Sequence, residues 1–251
     1  MARPSIVVRD ARSVQDFWSA TVLRPRRLAI ARGTIRASAV YPYRAPNRGR
    51  VRVTDGTRML LDAVVGDVPV AWQFAELEGH RRVLIFDGFT GGAHCCFDTT
   101  IVPLGAGEGR VIRVDWGDLG ETLVPSADGT GDVFRTGDDA MAYAFSSFAA
   151  STFAVKVLAL RDGGMRDVTG AYPLLIERDA RAQWSTYLAR RRDPGLTVRA
   201  DLEPPLVAYL ADEARLGRAP EAWARVRAAN GPARAFYAEA LAWLRGHGYA
   251  S

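Results

Sequence analysis

The most reactive side chains of this 251-residue chain occupy three successive positions, His94, Cys95 and Cys96. They include both cysteines and one of the three histidines of the protein. Thiolates and imidazoles bind zinc and copper, and a thiol can also serve in redox chemistry or as a nucleophile. Soft-metal or thiol chemistry in this protein would therefore centre on the segment 91–97, GGAHCCF.

A metal site here would use His94, Cys95 and Cys96 together with His80, the nearest other histidine. Zinc sites commonly pair cysteines about two to four residues apart, and adjacent cysteines depart from that spacing. Soft sulfur ligands would also suit copper. The pattern supplies these candidate ligands without deciding between zinc and copper.

The adjacent cysteines have two further interpretations. A vicinal disulfide between Cys95 and Cys96 would lock a tight turn, which the neighbouring Gly91 and Gly92 permit, and it would require an oxidising compartment. Two reduced thiols would instead pack as small apolar side chains. The sequence leaves the metal site, the disulfide and the reduced pair open.

Catalysis by either cysteine would require a base and an orienting carboxylate within reach. His80 and His94 are the candidate bases, and Asp87 and Asp98 are the candidate orienting groups on either side of the cysteines. Nothing in the sequence identifies such a triad, and no phosphate-binding or dinucleotide-binding fingerprint is present. The sequence therefore favours a protein without catalytic residues.

A second candidate ligand set lies in the acidic loop 128–132, DGTGD. Oxygen ligands at alternating loop positions bind calcium, which would here involve Asp128, Thr130 and Asp132. The threonine at the third position and the missing glycine after Asp132 depart from a calcium loop. A turn in which Asp128 accepts hydrogen bonds from its own loop is the alternative interpretation.

Arginine dominates the basic residues, with Lys156 the only lysine and a net charge of +5. Many of the arginines lie between Arg24 and Arg58, where they could contact phosphate groups or nucleic acid. They are dispersed among strand-like residues, and neither a recognition helix nor an aromatic stacking motif accompanies them. The pattern favours a solvated surface and disfavours a nucleic acid as partner.

Hydrophobic periodicity divides the chain into an N-terminal helical segment (1–24), an antiparallel β module (25–175) and a C-terminal helical region (176–251). Turn pairs such as Asp55-Gly56 separate short alternating runs within the β module. The predicted strands are 27–31, 35–41, 49–54, 59–65, 68–76, 82–86, 95–104, 110–116 and 119–124, followed by a hairpin of 141–148 with 153–160.

The remaining predicted elements are helices. Ser13 can cap a first helix over 13–22. Helical spacing of apolar residues, with proline and glycine at the ends, predicts a small bundle packed on the β module. Its helices are expected over 179–192, 206–216, 220–229 and 232–244.

The composition, 48% hydrophobic and 24% charged, is that of a packed globular protein. No apolar run reaches the roughly 18 residues that cross a bilayer, so no transmembrane segment is expected. The residues after Met1 contain no hydrophobic signal-peptide core. A cytoplasmic protein and an exported chain whose signal was removed both fit this observation.

The segment GGAHCCF at 91–97 resembles a motif of uncharacterised bacterial secreted or envelope proteins that are similar to the integrin-type FG-GAP repeats of β-propellers. Weaker similarity extends over 75–250 and includes 138–145. The resemblance implies a propeller-like or partial-propeller β module and an envelope, periplasmic or secreted location. In those proteins a calcium-type aspartate loop often precedes the motif, whereas 77–81 is LEGHR here.

Together these observations predict a mainly β protein with α-helices that acts as a non-enzymatic, envelope-associated binding or scaffold protein for an unknown protein or glycan partner. One alternative is a metal-binding or thiol-redox protein that uses His94, Cys95 and Cys96, with copper, zinc or calcium as the candidate ions. The other alternative is an arginine-rich protein that binds nucleic acid.

Overall fold

The computed structural model describes residues 26–41, 49–65, 68–89, 96–105, 110–193, 199–229 and 234–249. The chain forms two compact units. Unit 1 comprises Met1–Val133 and Leu160–Met165, and unit 2 comprises Phe134–Ala159 and Arg166–Ser251. The predicted N-terminal helix at 13–22 lies outside the described residues.

Unit 1 begins with a four-stranded antiparallel meander in which each strand pairs with the next. Its strands are β1 (Arg26–Arg32), β2 (Ile35–Tyr41), β3 (Gly49–Asp55) and β4 (Arg58–Val65). Alternation of apolar and charged residues defines the two faces of β3, because neighbouring side chains of a strand point to opposite sides. Val51 and Val53 are fully buried, whereas Arg50 and Arg52 face solvent.

A second antiparallel meander in unit 1 supplies the other half of its core. It contains β5 (Val68–Leu77), β6 (Arg81–Phe89), β7 (Phe97–Pro103) and β8 (Ile112–Gly117). Leu84, Phe86 and Val102 pack with the buried residues of the first meander in one hydrophobic cluster. Burying each such side chain stabilises the fold by about 1.5–3 kcal/mol, so packing against the other meander fixes the strands of each.

Four more strands follow: β9 (Thr122–Pro125), β10 (Asp132–Gly137), β11 (Val155–Arg161) and β12 (Gly164–Asp167). In unit 1, Asp132 pairs in parallel with Leu77. Gly131, at φ +144, precedes this pair, and a Cβ atom there would lie 2.4 Å from the carbonyl oxygen of Leu77. Only glycine permits so close an approach of two backbones.

The predicted hairpin of 141–148 with 153–160 is wrong in its first half. In unit 2, β11 pairs with β10, with Phe134 opposite Leu158. Residues Asp139–Met141 and Phe148–Ala150 form 3₁₀ turns. The side chain of Asp138 caps the first of them by accepting a hydrogen bond from the Ala140 amide, and this local bond competes with an extended conformation.

The predicted C-terminal helices are confirmed, with some changes of boundary. They are α1 (Pro173–Arg192), α2 (Arg199–Arg215), α3 (Ala219–Ala228) and α4 (Arg234–Gly246). Their buried faces form the core of unit 2, which includes Tyr187, Leu210 and Phe236. Within the described part of the chain, none of the helices combines the length and apolar character needed to span a membrane.

Candidate functional site

The cysteine segment lies in the connection between two paired strands of unit 1. The β6–β7 register places Asp87 opposite Thr99, Gly88 opposite Asp98, and Phe89 opposite Phe97. The rings of Phe89 and Phe97 are 4.7 Å apart between centroids. Residues 90–95, including His94 and Cys95, lie outside the described residues, and Cys96 is the first described residue after them. The flanking aspartates therefore mark the base of this hairpin.

Cys96 is half-buried and disulfide-bonded, and no described cysteine is a free thiol. The sequence contains one other cysteine, Cys95. The disulfide of Cys96 is therefore compatible with the vicinal pairing that the sequence offered as one alternative. The pairing itself stays a prediction.

Thr99 lies at the centre of a polar cluster at the base of the hairpin. Its side chain is fully buried, and its Oγ1 lies 2.7 Å from Asp87 Oδ1 and 2.8 Å from Glu121 Oε1. The indole Nε1–H of Trp116 donates a hydrogen bond to the same hydroxyl oxygen at 2.8 Å. We refer to these four residues, Asp87, Thr99, Trp116 and Glu121, as the Thr99 cluster.

The Thr99 hydroxyl cannot donate to both carboxyl groups of the cluster at the same time. A hydroxyl group has one hydrogen to donate and can accept two hydrogen bonds. Thr99 accepts one bond from Trp116 and donates its single hydrogen to one carboxylate. The second carboxyl group can bond to the same oxygen only as a donor, which means that it is protonated. Both contacts are satisfied as hydrogen bonds at once only when one of the two carboxyl groups carries a proton.

The surroundings of Asp87 favour its neutral form. Burial raises the pKa of Asp87 well above its ordinary value, and the negative charge of Glu121 raises it further. Paired carboxyl groups that cleave a glycosidic bond stand about 5–9.5 Å apart, with room for the sugar or a water between them. In the Thr99 cluster both carboxyl groups bond to the same threonine hydroxyl of the protein.

A second carboxylate at the base of the hairpin belongs to Asp98. This residue is buried, and its Oδ2 accepts an ion-pair hydrogen bond from Arg113 Nε at 2.9 Å. The sequence singled out Asp87 and Asp98 because they flank the cysteines. It did not identify Thr99, Trp116 or Glu121, because these residues come from other elements and carry no local motif.

His80 lies at the other end of β6 from Cys96. It occupies the β5–β6 turn, with φ 58, and its Nδ1 is 2.6 Å from Glu76 Oε1. The nine residue steps from His80 to Phe89 span about 30 Å at roughly 3.3 Å per residue. The structure therefore does not bring His80 close to Cys96, with which it was predicted to share a metal site.

The acidic loop is a hydrogen-bonded turn. Asp128 Oδ1 accepts hydrogen bonds from the Ser126 hydroxyl at 2.7 Å, the Thr130 amide at 2.9 Å and the Thr130 hydroxyl at 2.8 Å. The bond from Ser126 and then those from Thr130 lower the pKa of Asp128 to about 2. Asp132 begins β10, where its carbonyl accepts a bond from the Glu78 amide. The ion-binding role of Asp128, Thr130 and Asp132 stays a prediction.

The arginines on β3 have a carboxylate partner. Arg50 and Arg52 pair with Asp62 of β4 at 2.5 and 2.9 Å. Their hydrogen bonds, with that of Arg50 the larger effect, lower the pKa of Asp62 to about 2. Because these guanidinium groups are exposed, they add little stability. Their pairing with Asp62 also leaves Arg50 and Arg52 less positive charge for binding a phosphate group than unpaired arginines would have.

Across the described ranges, no group of three or more histidine, cysteine, aspartate or glutamate side chains is arranged to hold a metal ion. Comparisons of the chain with protein-family models, with curated proteins and with solved structures found no match.

Proposed function

We propose that this protein is a non-enzymatic binding or scaffold protein, and that the β6–β7 connection, residues 90–96, contacts its partner. The observation that carries this proposal is the Thr99 cluster. Its central hydroxyl uses its hydrogen and accepts bonds within the protein, so the cluster fixes the base of the hairpin. A fixed base lowers the entropy that a recognition loop loses on binding.

The proposed partner is a glycan of the bacterial envelope. The resemblance carried by GGAHCCF implies an envelope location for the protein itself. The central residues of protein–protein interfaces are enriched in aromatic and other large apolar side chains. The connection has the sequence TGGAHCC, which contains none of these. Gly91 and Gly92 permit close approach of a ligand to the backbone, and His94 can donate or accept hydrogen bonds. Sugar hydroxyl groups need such donors and acceptors.

The test is binding of the purified protein to an array of bacterial envelope polysaccharides and peptidoglycan fragments. We expect saturable binding to at least one glycan and no cleavage of that glycan. His94→Ala should bind at least about tenfold more weakly, which is the loss expected for a hydrogen bond to a charged or polar ligand group. Arg50→Ala, which changes an exposed residue of the other meander, is the matched control. Absence of glycan binding, or equal binding by His94→Ala, would refute the proposal, and products of cleavage would refute its non-enzymatic part.

A second candidate function, thiol redox chemistry, is favoured by the disulfide of Cys96. It would be tested by the intact mass of protein from its native compartment, denatured with a chelator and alkylated without reductant. An unmodified monomer would support a Cys95–Cys96 disulfide. A reversible change of stability on reduction would then support a redox role. Two alkyl groups would exclude the disulfide and direct attention to metal binding at His94, Cys95 and Cys96.

We also propose that the β module is propeller-like, as the resemblance to FG-GAP repeats implies. Propeller blades are four-stranded antiparallel sheets. The sheet β1–β4 has this form, which supports the proposal, whereas the meander β5–β8 belongs to a larger sheet in which β10 pairs with β5. An experimental structure in which these meanders share no central axis would contradict it.

A further inference from the structure

A cavity in unit 1 lies away from the cysteine segment. It has a volume of about 440 Å³ and is lined by residues of the β1–β2 turn together with Phe74, Glu76 and Arg82 of β5 and β6. Sites for small molecules typically enclose about 300–1,000 Å³. Arg82 is near the start of β6 and the cysteine segment follows its end, so the cavity and the proposed glycan site are separate.

The lining combines an apolar surface with charged groups. Ile35, Phe74 and Val83 contribute hydrophobic side chains. The guanidinium carbon of Arg32 lies 5.7 Å from the centroid of the Phe74 ring, within the range of a cation–π interaction. The cavity can therefore hold an apolar group against the ring with a positive charge beside it.

The two acidic residues of the lining already have partners. Asp55 accepts a hydrogen bond from the Thr34 hydroxyl at 2.5 Å and lies 3.8 Å from Arg58. Glu76 is bonded to His80 at 2.6 Å. Their negative charges are thus partly satisfied by groups of the protein.

The two arginines of the lining differ from these acids. Among the described residues, no carboxylate lies within ion-pair distance of Arg32 or Arg82. Glu76 stands opposite Arg82 in the β5–β6 register, yet it pairs with His80. A guanidinium group presents a planar fork of donors that fits a carboxylate. The cavity therefore has positive charge available for a ligand.

We infer that this cavity binds a small organic monocarboxylate with an aromatic or aliphatic body. The carboxylate would bond to Arg32 and Arg82, and the body would pack against Phe74 and Ile35. A doubly charged phosphate fits less well, because Asp55 and Glu76 lie in the same lining and repel additional negative charge. This inference is independent of the proposed glycan binding.

The test is titration of the purified protein with 3-phenylpropionate, hexanoate, 3-phenylpropionamide and inorganic phosphate, followed by calorimetry and by amide chemical shifts. We expect the two carboxylates to bind and to shift the amides of Gly33 and Thr34. The amide analogue should bind at least about tenfold more weakly, since it cannot form charge-assisted bonds. Phosphate should not compete with the carboxylates.

Variants separate a specific site from general attraction to a basic protein. Arg32→Gln and Arg82→Gln should each weaken carboxylate binding about tenfold. Arg135→Gln, which changes an exposed arginine of β10, should leave it unchanged. Both cavity arginines are exposed, so their replacement should preserve the circular dichroism spectrum. No carboxylate binding, equal binding of the amide analogue, preference for phosphate, or equal losses in all three variants would overturn the inference.

Discussion

Asp212 allows a quantitative test of the packing of unit 2. This residue of α2 is fully buried, and neither carboxylate oxygen has a donor in hydrogen-bond geometry within the described part of the chain. Burial, followed by the charge of Asp179, raises the pKa of Asp212 to about 10, against the opposing effect of Arg215. Folded Asp212 is therefore neutral at physiological pH.

The sign of the pH dependence follows from the proton balance. An unfolded aspartate loses its proton near pH 3.9, whereas folded Asp212 keeps its proton up to about pH 10. Between these values the folded state binds one more proton, so its stability falls as the pH rises. The slope from this group is about 1.4 kcal/mol per pH unit, which amounts to at most about 4 kcal/mol at pH 7.

Asp212→Asn should remove this loss, because asparagine has a similar shape, carries no charge and can donate a hydrogen bond to Asp179. We expect the variant to be more stable than the wild type by up to about 4 kcal/mol at pH 7 and about equally stable at pH 4. Urea unfolding followed by far-ultraviolet circular dichroism would measure the difference, since helices dominate that signal. Amide hydrogen exchange in peptides of α2 would report the same change locally.

Asp201→Asn is the matched control, because Asp201 lies in the first turn of the same helix. Its replacement should change the free energy of unfolding by less than about 1 kcal/mol, through the helix dipole. If Asp212→Asn is destabilised at neutral pH, or if its difference from the wild type is the same at every pH, the explanation of Asp212 by burial is wrong.

The other predictions concern single contacts and use the same unfolding measurement. As the pH rises from about 4 to about 8, the free energy of unfolding should fall less for Asp87→Asn than for the wild type, because a carboxyl group with a raised pKa makes stability fall with rising pH. Parallel pH profiles of the two proteins would contradict this. Gly131→Ala should lower the free energy of unfolding by more than about 2 kcal/mol, since its Cβ would lie 2.4 Å from a carbonyl oxygen of β5. Gly120→Ala, where the Cβ would meet open space, is the control and should lower it by less than about 1 kcal/mol. Similar losses in the two variants would refute the close-approach explanation. Tyr249→Phe should cost about 1–3 kcal/mol by removing its hydrogen bond to buried Asp138, and an unchanged midpoint would show that this bond does not stabilise unit 2.

Local patterns predicted most elements, and they failed where composition was ambiguous. The alternating arginine and valine residues of β3 predict its two faces directly. Strand β10 was missed because its first residues continue the glycine- and aspartate-rich loop 128–132. The apolar composition of 141–148 predicted a strand there, and this segment, instead of β10, was the predicted partner of β11. Helix α2 was predicted to start at Leu206, because Pro204 and Pro205 are usually found at helix boundaries.

The candidate site could be predicted only in part for a related reason. Asp87 and Asp98 are close in sequence to the cysteines, so a hairpin prediction places them together. The link through Thr99 to Trp116 and Glu121 depends on the pairing of β7 with β8 and on the path of the chain before β9. Such contacts between distant elements are specified by packing, which no short sequence pattern records.

The interleaving of the two units in the chain has a consequence for biosynthesis. Residues Leu160–Met165 belong to unit 1, where the Leu160 carbonyl accepts a hydrogen bond from Arg81 and Arg161 bonds to Glu78. A ribosome synthesises these residues only after the first part of unit 2, Phe134–Ala159. Since folding proceeds from the N-terminus during translation, unit 1 cannot be completed until the residues Phe134–Ala159 of unit 2 have also been synthesised. A gene fragment that ends at Val133 would therefore encode an incomplete unit.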